Sequence, residues 1–373
     1  MEQVAVGWLV FELTGSAFIV GVAAAARMAP FFFLGIFSGA IADWLDRRTL
    51  LWFSTLGGIL VSSVMASMLL LGVTHVWAII VLVAASGCVF AFVLTTRQAY
   101  TVDIVGQQHS LNGLSLGAIA MQVGGVVGSI LSGTLIHTVG PGWQYVVIGI
   151  AYGVSAAVLL GASKTGHVNS PDREPVVANL TGYLHLMGSN RTLLTLMMLA
   201  SITEVFGFTH MTLLPVFAKE VLGVGAIGLG FMTSVRQGGA LIGLLFLANL
   251  RNFQSKGLLM FGIAFGFGAG MMLFYLASNL LVFLFVLAVV NAFAMAVDTL
   301  YKTLMQENVS DEQRGRAMGS WVFSIGVAPV GHLGVGGLAA ILGAPSALLV
   351  NGAVLSIVSL ATMVGFPRIR RLP

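Results

Sequence analysis

Three charged residues lie inside long apolar runs of the sequence. Glu204 lies near the middle of one run, and Arg27 and Arg236 occupy matching positions in two others. If these runs cross a bilayer, a charge there costs at least ~2.5–3.5 kcal/mol, so it should face a cavity or a partner. A carboxyl group in that position could exchange a proton or contact a cation, and a structural ion pair is the alternative for Glu204. The two arginines could bind a substrate, or they could fix their helices to neighbouring helices.

Several weaker polar candidates accompany these charges. Asp298 lies close to the end of another apolar run, a position that suits a gate better than a central site. Gln122 and His210 lie within runs and could contribute hydrogen bonds to a binding site, as could Gln237 and Asn291. The predicted substrate and proton candidates are therefore Glu204, Arg27, Arg236, Gln122, His210 and Asp298.

A dense charge cluster separates two apolar runs. In "GAIADWLDRRTL", which begins at Gly39, two aspartates and two arginines fall within six positions, although only 8% of the chain is charged. Asp43 could accept hydrogen bonds from nearby amides or from Arg97. Arg47 and Arg48 could bind anionic lipid headgroups, a contact worth about 1 kcal/mol for each basic residue. The alternative is that the cluster is only a topology signal.

The sequence lacks the patterns that enzymes of several classes require. Cys88 is the only cysteine, so a disulfide framework or a thiolate metal site is excluded. The sequence contains neither a pair of histidines at i,i+4 nor a phosphate loop ending in Gly-Lys-Ser/Thr. The net charge of +4 is spread over the connectors between apolar runs, which does not favour nucleic-acid binding. We therefore expect no cofactor, no metal, no enzymatic activity and no nucleic-acid partner.

The elements that must position these residues are membrane-spanning helices. The chain is 58% hydrophobic and its mean hydropathy is +0.99, well above the usual composition of soluble domains. A helix needs about 20 mostly apolar residues to cross a bilayer. Eleven segments meet that condition: 17–42, 49–73, 76–96, 113–139, 143–162, 192–218, 225–250, 257–277, 279–300, 315–342 and 345–366.

Basic residues in the connectors predict the orientation. The connectors on one side contain a single basic residue, Lys219. The other side carries Arg47, Arg48, Lys164, Arg173, Arg191, Arg251, Lys256, Arg314, Arg316, Arg368, Arg370 and Arg371. Excess positive charge marks cytoplasmic loops. We therefore predict a multi-pass protein of the cell's inner (plasma) membrane, with the 163–190 segment and the carboxyl terminus in the cytoplasm.

The first apolar segment is short. Residues 1–13 cannot span, yet this topology requires helix one to begin in the cytoplasm. By the rise of ~1.5 Å per residue, we expect a normal first helix to need roughly 10–20 residues upstream of Met1. The alternative is a half-helix that begins in the interface.

The sequence also repeats itself. "GVAAAARMAPFFFLGIF" from Gly21 parallels "GFMTSVRQGGALIGLLF" from Gly230, with an arginine six residues after each glycine. "VDIVGQQHSLNGLSL" parallels "QENVSDEQRGRAMGS". We therefore predict two parallel six-helix halves, residues 1–162 and 191–373, joined by the linker 163–190. A binding site is expected between such halves near mid-membrane.

These residues resemble the major facilitator superfamily. Gly39, Asp43, Arg47 and Arg48 are similar to its cytoplasmic loop 2–3 motif. The similarity is strongest to the branch that includes enterobactin exporters and many drug-efflux proteins, through "WLVFELTGS", "TTRQAYTVDIVGQQHSLNGLSL", "LLPVFAKEVLGVGAIGLGFM" and "DEQRGRAMG". The chain departs from the usual motifs at Trp44, Asp46, Thr95 and Ser129.

The resemblance implies an all-α major facilitator fold and alternating-access secondary transport. It also implies that Gly39 and Asp43 help to latch the cytoplasmic faces of the two halves. We expect a monomeric, proton-coupled exporter of amphipathic small molecules, either drugs or a siderophore. The alternatives are an importer or lysophospholipid flippase on the same fold, a receptor that does not transport, or a membrane-embedded enzyme such as an acyltransferase.

Overall fold

The regular elements of the described residues are helical. A computed structural model of the chain describes residues 1–44, 46–162, 187–250, 253–310, 313 and 321–372, without the side chains of residues 33–44, 107 and 111. By length and composition, ten helices in these ranges could cross a membrane, and Ala17–Phe32 is a shorter apolar helical stretch. The predicted polytopic helical membrane protein is therefore confirmed.

The first six helices follow the predicted apolar runs. They are α1 Glu2–Thr14, α2 Ala17–Trp44, α3 Arg47–Leu70, α4 Val76–Val105, α5 Ser110–Val139 and α6 Pro141–Gly161. Local signals set their ends. Gly15 has φ 58° and ends α1, and Asp46 caps α3 by accepting a hydrogen bond of 2.9 Å from the backbone N–H of Thr49.

The second six helices are α7 Arg191–Phe206, α8 Gly225–Asn249, α9 Lys256–Met272, α10 Leu280–Glu307, α11 Ala328–Leu342 and α12 Ala344–Gly365. A short helix, α13, follows at Pro367–Arg370. Beyond Phe206 the α7 span continues to Val221, mainly as 3₁₀ and π turns. Asn190 and Asn279 cap α7 and α10 through their side-chain oxygens.

The packing of the helices repeats along the chain. In the first set, α2 packs on α4 and α3 packs on α6. In the second set, the corresponding helices make the corresponding contacts: α8 packs on α10 and α9 packs on α12. Two further pairs, α2 with α11 and α5 with α8, join the sets.

Glycines permit the close approach at both joining pairs. A methyl group on Gly21 would lie 2.5 Å from the carbonyl oxygen of His332 and 3.2 Å from the Cα of Gly336. A methyl group on Gly133 would lie 2.5 Å from the carbonyl oxygen of Ala226 and 3.1 Å from the Cα of Gly230. Small residues let membrane helices approach backbone to backbone. The helices of each pair therefore approach each other near the ends that the charge pattern predicts to be outside.

Candidate functional site

Arg27 lies on α2 against the beginning of α1. Its Nη2 is 3.5 Å from Oε2 of Glu2, and each side chain is 15% exposed. The guanidinium carbon lies 5.5 Å from the centre of the Phe90 ring on α4. Its Nε is buried without a hydrogen-bond partner among the described residues. Arg27 therefore holds α1, α2 and α4 together by charge and by a cation–π contact.

Arg236, the repeat-matched arginine on α8, meets the same end of α1 from the other set of helices. Its Nη2 donates to Oε1 of Gln3 at 3.2 Å, and its Nη1 contacts Sδ of Met211 at 2.7 Å. Its Nε is buried and has no partner within the described part of the chain. Unlike Arg27, Arg236 is therefore surrounded by neutral groups in these contacts.

Glu204 lies on α7, which packs against α10. The side chain is half-buried and makes no hydrogen bond or ion pair with the residues that the structure describes. The charges of Asp298 and Lys302 act on it. The carboxyl group thus lies beside a charged cluster without being fixed by it.

Asp298 belongs to a contact between α10 and residues just before α11. Its Oδ1 accepts from Nε1 of Trp321 at 2.7 Å, and its Oδ2 pairs with Nζ of Lys302 at 2.7 Å. Lys302 also lies 3.9 Å from the centre of the Trp321 ring. The three side chains form a closed triangle, so both carboxylate oxygens of Asp298 already have partners.

His210 is a packing residue in this structure. Asn291 uses one amide hydrogen on the carbonyl of Leu287, at 2.8 Å, and directs the other at Nε2 of His210, at 3.2 Å. That leaves the proton of the neutral imidazole on Nδ1, which lies 2.8 Å from the carbonyl oxygen of Gly207. The ring is fully buried beside Phe267. Both nitrogens of His210 are therefore used within α7 and α10.

Gln122, the remaining polar candidate, lies on α5. It is 7% exposed and makes no hydrogen bond to the residues that the structure describes. The neighbouring turn of α5 meets α8, because Ser234 donates to the carbonyl of Val126 at 2.9 Å. Gln122 therefore lies beside the contact between the two sets of helices.

The arginines of the charge cluster contact the first set of helices. Arg47 pairs with Asp103 of α4 at 2.6 Å. Arg48 donates to the carbonyls of Leu159 and Leu160 at the end of α6, at 2.7 Å in the case of Leu159. These bonds tie α3 to α4 and to the exposed carbonyls at the end of α6.

The other members of the predicted gate are only partly described. Gly39 and Asp43 lie in the α2 backbone, but the Asp43 side chain is outside the described residues, so its predicted bond to Arg97 stays a prediction. Arg97 contacts Sδ of Met121 at 3.3 Å. The predicted segment 315–342 also begins outside the described residues.

Three contributors were missed from the sequence: Glu2, Gln3 and Asp103. The sequence contains a signal for Glu2. Glu2 and Arg27 lie at nearly equal distances before and after the turn at Gly15, so an antiparallel α1–α2 pair brings them together. Glu2 lies within the 1–13 segment, which is too short to span, so it does not count among charges inside long apolar runs.

Known proteins resemble this chain along almost all of its length. The family described as transmembrane secretion effector, MFS_3, matches residues 1–370. The staphyloferrin A transporter of Staphylococcus aureus is 21% identical over 337 residues, covering 89% of this chain and 83% of that protein. The multidrug efflux pump Tap of Mycobacterium tuberculosis is 24% identical, covering 85% and 77%. The enterobactin exporter EntS of Shigella boydii is 23% identical, covering 86% and 78%.

Solved structures share the fold. The nucleoside transporter NupG superimposes with a TM-score of 0.74 at 12% identity, covering 98% of this chain and 96% of that chain. The D-xylose–proton symporter superimposes with a TM-score of 0.72 at 14% identity, covering 100% and 97%. With the family match across the whole described fold, the chain belongs to the transmembrane secretion effector family of the major facilitator superfamily, and it is a membrane transporter rather than an enzyme.

Proposed function

We propose that this transporter is a proton-coupled exporter of amphipathic small molecules that works as a monomer by alternating access. Relatives named as a multidrug efflux pump and as an enterobactin exporter support export. The chain is similar to them over most of its length, but at identities that leave the substrate open. The expected class is therefore amphipathic drugs or a siderophore.

The contacts between the helix sets support alternating access. At the ends predicted to be outside, Gly133 and Gly230 bring α5 against α8, and Gly21 and Gly336 bring α2 against α11. At the opposite ends, the Arg47–Asp103 and Lys256–Glu307 pairs each stay within one set. The close contacts at the predicted outer ends suit a state that is closed outside, and rocking about the joining pairs would open that side and close the other. We place the linker and the carboxyl terminus in the cytoplasm, on the side rich in basic residues.

The gate is expected to act in the opposite state. When the cytoplasmic ends of the two sets meet, the end of α2 containing Gly39 and Asp43 would approach the second set. Arg47 and Arg48 would then serve to hold α3, α4 and α6 in place as a rigid surface for that contact.

The position of Glu204 is the main observation in support of the proposed proton coupling. It lies in the middle of the α7 span without an ion pair to the described residues, so it can gain or lose a proton without breaking one. Asp298, in contrast, is held by Lys302 and Trp321. A carboxyl group within a membrane span indicates a proton or ion pathway by default.

Substitution of Glu204 tests the proposal. Glu204→Gln mimics the protonated carboxyl group, so substrate-induced proton movement in proteoliposomes should fall by at least about tenfold while substrate still binds. Glu220→Gln is the matched control, because Glu220 lies on the same span at its exposed outer end. Flux should be measured with a panel of drugs, in both directions across the liposome membrane.

The outcomes separate the alternatives. If Glu204→Gln moves protons as well as the parent and Glu220→Gln do, the proton site is elsewhere and Asp298 is the next residue to test. If substrate moves only in the same direction as the protons, and not in the opposite direction, the protein is an importer. Binding without flux in the parent protein would identify a receptor.

A further inference from the structure

The environment of Arg236 indicates the charge of the substrate. The guanidinium presents three nitrogen atoms, and none meets a negative charge in the described contacts. Nη1 contacts the thioether of Met211, Nη2 contacts the amide oxygen of Gln3, and the buried Nε has no partner among the described residues. Thioether sulfur is a weak acceptor, and an amide oxygen is neutral. The charge of Arg236 is thus left uncompensated in the middle of a membrane-spanning helix.

Arg27 provides an internal comparison. It occupies the equivalent place in the first set of helices and faces the same end of α1, but there it pairs with Glu2 at 3.5 Å and lies beside the Phe90 ring. Gln3, the next residue of α1, meets Arg236. The chain therefore supplies a carboxylate to one arginine of the pair and only an amide to the other.

An arginine within a membrane span is normally paired, or it serves a substrate pathway. Its planar guanidinium donates two parallel hydrogen bonds to a carboxylate, which a neutral acceptor cannot match. The bond between Arg236 and Gln3 is exposed, so a ligand can reach Nη2 and displace the amide. Met211 is unbranched and flexible, so it can move away from Nη1.

We propose that Arg236 binds a carboxylate of the transported molecule, so that the preferred substrates are amphipathic carboxylic acids rather than amphipathic cations. This inference rests on the proposed transport function and names its substrate class. Arg236 provides the ionic contact, and Gln3 and Met211 occupy its donors when the substrate is absent.

A pair of probes that differ only in charge tests this inference. Naphthalene-2-carboxylate and its neutral amide have the same ring system. Binding of each to the purified full chain in nanodiscs should be measured by titration calorimetry. We expect the parent protein to bind the carboxylate roughly tenfold more tightly than the amide. Arg236→Gln should abolish this preference, and Arg236→Lys should retain part of it because the positive charge remains.

The control variant is Lys219→Gln, which removes a positive charge at the outer end of the α7 span, beside Glu12, and should leave the preference unchanged. The inference is overturned if the parent shows no preference for the carboxylate, whether both probes bind or neither does. It is also overturned if Arg236→Gln, folded by its thermal unfolding profile, keeps the parent's preference.

Its failure can be distinguished from failure of the proposed function. Drug efflux without any carboxylate preference would refute the substrate class and leave transport intact. A carboxylate preference that Arg236→Gln removes, without proton-coupled flux in the parent, would support the binding site and refute the coupling.

Discussion

Glu2 and Arg27 are each 15% exposed, and their closest charged atoms are 3.5 Å apart. Removing one member of a buried pair leaves the other charge without compensation, and this penalty exceeds what the pair itself contributes. Glu2 therefore stabilises the end of α1 chiefly by neutralising Arg27. This position is also where the two sets of helices meet, since Gln3 contacts Arg236 of α8.

Glu2→Gln should therefore destabilise the protein, because it leaves Arg27 charged and unpaired. We expect a loss of about 1–3 kcal/mol in the free energy of unfolding. Thermal unfolding of the purified protein in detergent measures the effect. Glu12→Gln is the control on the same helix, since Glu12 is 50% exposed and lies 3.9 Å from Lys219. Equal melting temperatures for Glu2→Gln and Glu12→Gln would show that the Arg27 pair does not stabilise the fold.

At the scale of single residues, the positions of the buried charges could be predicted from the sequence better than their partners could. Arg27, Arg236 and Glu204 stand out because charges are rare in apolar runs. Their different surroundings depend on which face of α1 meets which helix, and spacing along the chain does not determine that across two sets of helices. His210 shows the opposite case, because its polarity suggested a site, whereas Asn291 and Gly207 occupy both of its nitrogens.

Two helix pairs, α2–α11 and α5–α8, form the most extensive contacts between the two sets. Gly21 and Gly230, which align in the sequence repeat, each approach a glycine of the other set, at Gly336 and Gly133. Such contacts keep two helices close without locking them by large interdigitated side chains. In the proposed alternating access, the α2–α11 and α5–α8 pairs are therefore the surfaces along which the sets would rock.

A side chain at Gly133 should prevent close contact between α5 and α8. In Gly133→Leu, the first carbon alone would lie 2.5 Å from the carbonyl oxygen of Ala226, so α5 and α8 must separate. We expect transport in proteoliposomes to fall by at least about tenfold, because transport requires both states to be populated. Gly117→Leu is the matched control on α5, where a Cβ meets nothing within 4 Å. Parent-like transport by Gly133→Leu would contradict the role of this contact.

The ends of a helix could be predicted where they coincide with the ends of its apolar run. The run predicted at 225–250 is α8 at Gly225–Asn249, and the run at 345–366 is α12 at Ala344–Gly365. The prediction stopped α4 at residue 96, whereas the helix continues to Val105. A helix can leave the apolar layer and continue through polar residues, so hydropathy marks the bilayer crossing rather than the end of the helix.

At the scale of the whole molecule, the repeated packing of the two sets is the basis of the transport proposal. The equivalent pairs α2–α4 and α8–α10 stabilise each set internally, whereas α2–α11 and α5–α8 join them. The repeat and the membrane class could be predicted from motif spacing and hydropathy. The state of the molecule could not, because the proposed alternating access requires the same sequence to favour both the inward-open and outward-open arrangements to within a few kcal/mol.

Distances between the two sets of helices test alternating access most directly. Spin labels at Thr138 and Val221 report on the ends of the sets that are predicted to be outside. Labels at Gln108 and Phe253 report on the ends predicted to be inside, all in a Cys88→Ser background. Distances should be measured by pulsed electron resonance in nanodiscs, with and without a transported compound, for the parent and for Glu204→Gln. We predict a second population in which the outer distance lengthens and the inner distance shortens, with its share changed by the compound and by Glu204→Gln. Distances that stay constant under all conditions, or that lengthen together at both ends, would contradict alternating access.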